Sequence, residues 1–286
     1  MSADSLEVLA LTVLLAALLS VNYDTATISN AASKAPLRVV IVAFIDTLLL
    51  SYFAISCRWT GRREWGAVFA TLYGMVYFLT AIESVYLGTL LSASTLVSLL
   101  VNGAITSTIF AVASVWAFGG GKMEGVSSAR LQMPGKEWAW KIVASAGAYL
   151  LLFIVFGLFV YAPLGRALDP VAFAQEQATA STAAALVFPI ELLRGALWAL
   201  LAVPAILGLT FGWKKTGLVV GLLMAVPLSM TQFLATTMVV GLQVAHASEI
   251  FGENLAFGLA LVWILRVHSR LPTLNERTSL RVGTTG

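Results

Sequence analysis

The 286-residue chain is 59% hydrophobic and only 11% charged, with a formal net charge of +3 and a mean hydropathy of +0.90. Soluble domains carry roughly 25% charged residues, so the balance excludes an ordinary soluble domain. The basic residues flank apolar stretches, which points to anionic lipid headgroups rather than nucleic acid.

A membrane-spanning helix needs about 20 apolar residues. Such stretches fall near 6–22, 38–57, 66–89, 94–117, 140–162, 188–209, 217–243 and 250–267. They predict an all-α, polytopic transmembrane bundle of about eight spans, forming a single integral membrane domain over 1–286. Lys and Arg sort to alternate connections. Arg58, Arg62 and Arg63, then Lys122, Arg130, Lys136 and Lys141, then Lys214 and Lys215, and finally Arg266, Arg270, Arg277 and Arg281 all fall on one side. The other side holds Lys34, Arg38 and Arg166. Cytoplasmic loops carry the excess of Lys and Arg, so both termini are expected in the cytoplasm.

Met1–Glu7 has no basic residue and carries Asp4 and Glu7, which is wrong for a cleaved signal peptide. The first span is expected to stay as an anchor. Cys57 is the sole cysteine, so no internal disulfide is possible, and inert packing is expected. Gly119-Gly120-Gly121 lacks the Lys and Ser/Thr of a phosphate-binding loop and reads as a helix exit. Trp138 and Trp140 fit an interfacial belt. In the long outer connection 163–187, Asp169 before Pro170 predicts the cap of a short surface helix. Pro204 and Pro227 lie inside spans six and seven, where proline frees a carbonyl and kinks a helix. The kinks serve packing or open a cavity. No internal repeat is evident.

Ionisable groups in apolar spans are costly and need a reason. Asp46, Glu83, Asn102, Glu191, Arg194, His246, Glu249, Glu253 and Asn254 all fall in the outer half by this topology, and the inner half reads as nearly free of such groups. Glu191 and Arg194 are spaced i, i+3 and share a helix face. A buried Arg194 needs a carboxylate, expected from Glu191, Asp46, Glu83 or Glu249. His246, Glu249 and Asn254 would present one face to spans six and seven, with Trp198 as an apolar floor one turn below Arg194. The last span is expected to open at about residue 250. Thr231 and Gln232 suit helix–helix hydrogen bonds.

Sharper chemistries lack their residues. A retinal Schiff base needs a lysine in a late span, and a haem needs two axial histidines at one depth. Glu191, Arg194, His246 and Asn254 echo the CAAX-protease set, but the adjacent glutamates and the second intramembrane histidine are missing.

Three segments carry a broader likeness: Trp138-Ala-Trp-Lys-Ile-Val through Phe156-Gly-Leu-Phe-Val160, Glu191-Leu-Leu-Arg through Pro204, and His246-Ala-Ser-Glu through Asn254-Leu-Ala-Phe-Gly258. Over about 138–267 the chain resembles a family of uncharacterised multi-pass bacterial membrane proteins, and the resemblance implies no residue role. The expected function is a non-catalytic membrane subunit or scaffold, or a small-solute, transporter-like protein. The alternative is an intramembrane or lipid-modifying enzyme using Glu249 or His246 as base, with Arg194 holding a phosphate. No cofactor and no metal is expected. The expected partners are membrane lipid, other membrane subunits or a small solute, and not nucleic acid.

Overall fold

A computed structural model describes residues 3–27, 35–82, 93–119, 133–180, 184–234 and 238–265. Its regular structure is helical throughout: α1 (Ala3–Thr27), α2 (Ala35–Ser56), α3 (Gly61–Ile82), α4 (Ala93–Phe118), α5 (Gly135–Leu168), α6 (Pro170–Ala180), α7 (Ala184–Gly208), α8 (Trp213–Gln232) and α9 (Val240–Leu265). Helices satisfy every backbone group internally, which hydrocarbon demands.

Among the described residues, six helical stretches are long and apolar enough to cross a membrane: Leu37–Ser56, Gly61–Ile82, Ala93–Phe118, Gly135–Leu168, Leu186–Gly208 and Val240–Leu265. Ser5–Ser20 in α1 is a shorter apolar helix. The outward faces support a membrane setting. Trp116 is 87% exposed, Phe159 75% and Val143 71%. Water penalises so much apolar surface, whereas lipid does not.

The turn from α2 to α3 needs Gly61, whose φ of 56° lies in the left-handed region that glycine enters without steric cost. It brings the ends of α2 and α7 together: Cys57 and Leu209 form an isolated antiparallel bridge, and the Arg58 amide donates to the Gly208 carbonyl at 2.8 Å. Arg58 Nη2 also donates to the Leu209 carbonyl at 2.6 Å, and Lys215 Nζ stands 3.8 Å from the Phe211 ring centroid. This is the basic end of the bundle. At the opposite end, Arg38 Nη1 donates to the Phe233 carbonyl at 3.4 Å.

Two packing groups share one core. α1, α2, α3 and α4 form the first, and α5, α7, α8 and α9 the second, joined where α3 meets α7 and α8 and where α2 meets α8. Phe53, Phe110, Trp198, Leu223, Met224 and Phe257 are fully buried in it. Cys57 is a buried thiol outside any disulfide. Among the described residues, Ala70–Phe78 in α3 and Gly157–Tyr161 in α5 wind as π-helix. Such turns often mark functional sites, and the second carries Tyr161 into the site below.

The C-terminal boundaries differ from the sequence expectation. α8 stops at Gln232, where the Phe233 and Leu234 amides turn back to the Met230 and Thr231 carbonyls at 3.1 and 3.0 Å. α9 then begins at Val240, not near 250. The polar residues that suggested a helix start are instead buried on the inner face of one continuous helix.

Candidate functional site

The site lies among α5, α7 and α9. In the first turns of α7, Arg194 Nη1 contacts both Glu191 carboxylate oxygens, at 2.9 and 2.8 Å. The Arg194 side chain is 7% exposed and that of Glu191 0%. Burial makes each charge depend on the other, since an unpaired ion here would lose several kcal/mol of solvation. The Arg194 guanidinium also lies 5.7 Å from the centre of the Tyr149 ring on α5. That ring sits edge-on to Phe257 at 5.0 Å and tilted to Trp198 at 6.5 Å. The Tyr149 hydroxyl hydrogen-bonds the Glu253 carboxyl of α9, which also feels the charges of Arg194, Glu249 and Glu191. Tyr149 thus stands between the two polar walls. The expected gap lay between α7, α8 and α9, and α5 contributes Tyr149 to it.

A second cluster continues towards the start of α9. The His246 ring stacks on Tyr161, with centroids 4.2 Å apart and planes 29° apart. His246 Nε2 lies 2.9 Å from Glu176 Oε1, and His246 Nδ1 lies 3.4 Å from Glu249 Oε2. The Tyr161 hydroxyl donates to Glu176 Oε2 at 2.5 Å. Glu176 belongs to α6, which starts at Pro170 and is capped by Asp169, whose Oδ1 accepts from the Ala172 amide at 3.0 Å. α6 therefore hands a carboxylate back to α9 across 70 residues.

Glu176 lies outside the membrane-crossing helices. Its partial burial pushes the carboxyl up, but the hydrogen bond and charge of His246, with the Tyr161 hydroxyl, outweigh this and hold it below the ordinary 4.5. A carboxyl lowered in the folded state adds stability that is fully present above the unfolded value and is lost as pH falls through the folded one. The melting-temperature gap between the parent and Glu176→Gln is therefore expected to narrow on acidification below pH 4.5. A gap that stays constant across the acid range would contradict the pairing.

The remaining expected residues divide. Trp198 is fully buried beneath Tyr149, and its Nε1 has no hydrogen-bond partner among the described residues. Asn254 is buried, with Nδ2 donating to the Ile250 carbonyl at 2.9 Å and Oδ1 without a partner among the described residues. Asp46 is buried on α2, in the other packing group, beside Thr47 and Ser51 in sequence. Asn102 is half-buried on α4. α4 packs on α1, α2 and α3, so neither Asp46 nor Asn102 is supplied by the helices that hold Arg194. Glu83 lies outside the described residues.

One further expectation is corrected. The half towards the basic end is not free of buried ionisable groups: Glu64 is fully buried at the start of α3. Lys141 is buried as well, pairing with Glu137 at 2.9 Å. A carboxylate four residues before it lets a lysine leave water at reduced cost. Tyr149, Tyr161 and Glu176 were missed altogether. Glu176 carries no apolar-span signal, and a tyrosine hydroxyl in an apolar stretch raises no hydropathy alarm.

Among the described residues no three His, Cys, Asp or Glu side chains converge as a metal site. No family model, curated protein or solved structure matches the chain.

Proposed function

We propose that this chain is a multi-pass membrane protein whose polar layer, in the outer half of the bilayer, binds a small solute or ion, as a transporter-like protein or as the ion-handling subunit of a membrane assembly. The observation that carries it is the charge balance of the layer. Among the described residues of the layer, four carboxyls (Glu176, Glu191, Glu249 and Glu253) share two basic groups, Arg194, which is engaged by both oxygens of Glu191, and His246, which stands between Glu176 and Glu249. A layer built only to hold helices together would match its charges. An excess of buried acceptors suits a positively charged or hydrogen-bond-donating guest.

The proposal extends to eight crossings, adding α1 and α8 to the six long apolar helices, with both termini in the cytoplasm. The clustering of Arg58, Lys214 and Lys215 at one end supports that orientation. The bacterial inner membrane is proposed from the resemblance over 138–267 alone. Labelling with an impermeant thiol reagent in intact cells is expected to modify Ala178→Cys and spare Gly120→Cys. The reverse pattern inverts the topology.

The enzyme reading draws on the Glu176–His246–Glu249 series, since a carboxylate-oriented histidine is a competent base. Against it, Arg194 is held by Glu191 rather than left to grip a phosphate. A thermal-shift screen of the purified protein against alkali cations, amines and small metabolites tests the binding proposal. A stabilising ligand whose effect vanishes in Glu249→Gln supports it. A flat response across all classes overturns it.

A further inference from the structure

His246, Glu249 and Glu253 fall within about 60° of one another around α9, at 100° per residue. They form a line down one face. The line begins at Glu176, whose side chain is one-third exposed, and passes to His246 Nε2 at 2.9 Å. It crosses the imidazole to Nδ1 and continues to Glu249 Oε2 at 3.4 Å. Glu253 follows one helical turn on, close enough to feel the charge of Glu249. Glu253 stands about 20 Å along the helix from Val240 and about 18 Å from Leu265, at roughly 1.5 Å per residue, so it is near mid-depth. It is 3% exposed, and its Oε1 has no hydrogen-bond partner among the described residues.

We propose that Glu176, His246, Glu249 and Glu253 form a proton-exchange path from the outer face to a proton-binding carboxyl at mid-membrane. The inference rests on reading the polar layer as an ion-handling site, and it names the ion. His246 rests as an imidazolium, the charge that Glu176 feels. It releases its Nδ1 proton to Glu249 and becomes neutral, with its remaining proton on Nε2. After tautomer exchange, a proton that the Glu176 carboxylate takes up from water passes to Nε2 and restores the imidazolium. Glu249 then hands the proton to Glu253 and recovers its charge. One proton has moved inwards and no bond other than N–H and O–H has changed. The tyrosines are part of the same geometry. Tyr161 stacks on the imidazole and fixes Glu176 through its hydroxyl, holding the ring between two carboxylates. Tyr149 holds one oxygen of Glu253, and the other stays open to receive the proton. The charged groups around Glu253 are Glu191 and Arg194 from α7 and Glu249 from α9, with Tyr149 from α5. Arg194 binds both Glu191 oxygens and also acts on Glu253, so Glu191, Glu249 and Glu253 together outnumber the guanidinium, and a proton on Glu253 offsets the excess.

The test is infrared difference spectroscopy of the full chain in liposomes, reading the protonated-carboxyl band and its shift in D2O. Glu253→Gln is expected to remove one such band. His246→Gln is expected to keep the band and slow its deuteration by about tenfold, equivalent to about 1.4 kcal/mol on the exchange barrier. Glu176→Gln should slow it likewise. Size-exclusion profiles confirm that each variant is folded, and where Glu253→Gln fails to fold, the two exchange rates decide. An unchanged band in folded Glu253→Gln, or deuteration as fast as the parent in both other variants, overturns the path. So does a band that responds to sodium or potassium at fixed pH. A flat ligand screen with an intact exchange path would remove the solute proposal and leave this one standing.

Discussion

Replacing Arg194 with alanine is expected to destabilise the protein by about 3–5 kcal/mol, the usual cost of stranding one member of a buried ion pair. Glu191 would then be fully buried with both oxygens deprived of their guanidinium partner. Glu253 would lose the nearest positive charge and Tyr149 the cation over its ring. The measurement is thermal unfolding in detergent of Arg194→Ala, Glu191→Gln and the double variant. The double variant should recover part of the loss, because Glu191→Gln removes the stranded charge. Recovery stays incomplete, since Glu253 still lacks its cation. An Arg194→Ala melting temperature equal to the parent's would show that the pair does not hold the layer together.

Gly258→Val is expected to cost about 3 kcal/mol, the upper end of the overpacking range. A Cβ at Gly258 would lie 2.2 Å from the Gly221 Cα and 2.4 Å from its nitrogen. No real contact is that short, and the obstacle is backbone, which cannot rotate aside. The two glycines let α8 and α9 touch backbone to backbone, as small residues do in membrane helix pairs. Forcing them apart would also shift His246, Glu249 and Glu253 against α5. Gly147→Ala is the control, because nothing lies within 4 Å of a Cβ there. Equal melting temperatures for Gly258→Val and Gly147→Ala would show that α8 and α9 separate without cost.

The readable part of this chain was the part dictated by its solvent. Hydrocarbon penalises every unpaired backbone group and every stray charge, so long apolar helices and sorted basic flanks appear directly in the residue order. Local pairs were equally legible. Glu191 and Arg194 are three residues apart on one helix, so their contact follows from helix geometry. The cap of Asp169 on α6 was visible for the same reason. The start of α9 was misread because His246, Glu249, Glu253 and Asn254 look like a polar exit. In the bundle they face inwards, where tertiary partners offset their burial.

By itself the sequence determined the helical class, the long apolar helices and several of the buried ionisable groups, Asp46, Glu191, Arg194, Glu249 and Glu253 among them, because each depends on a local pattern read by the bilayer. Tertiary structure decided which of those charges meet. Asp46 went to a different helix group, Glu176 came back 70 residues to His246, and Tyr149 entered between α7 and α9. Those choices depend on which helix faces fit, as at Gly221 and Gly258, and side-chain complementarity between distant segments has no period along the chain.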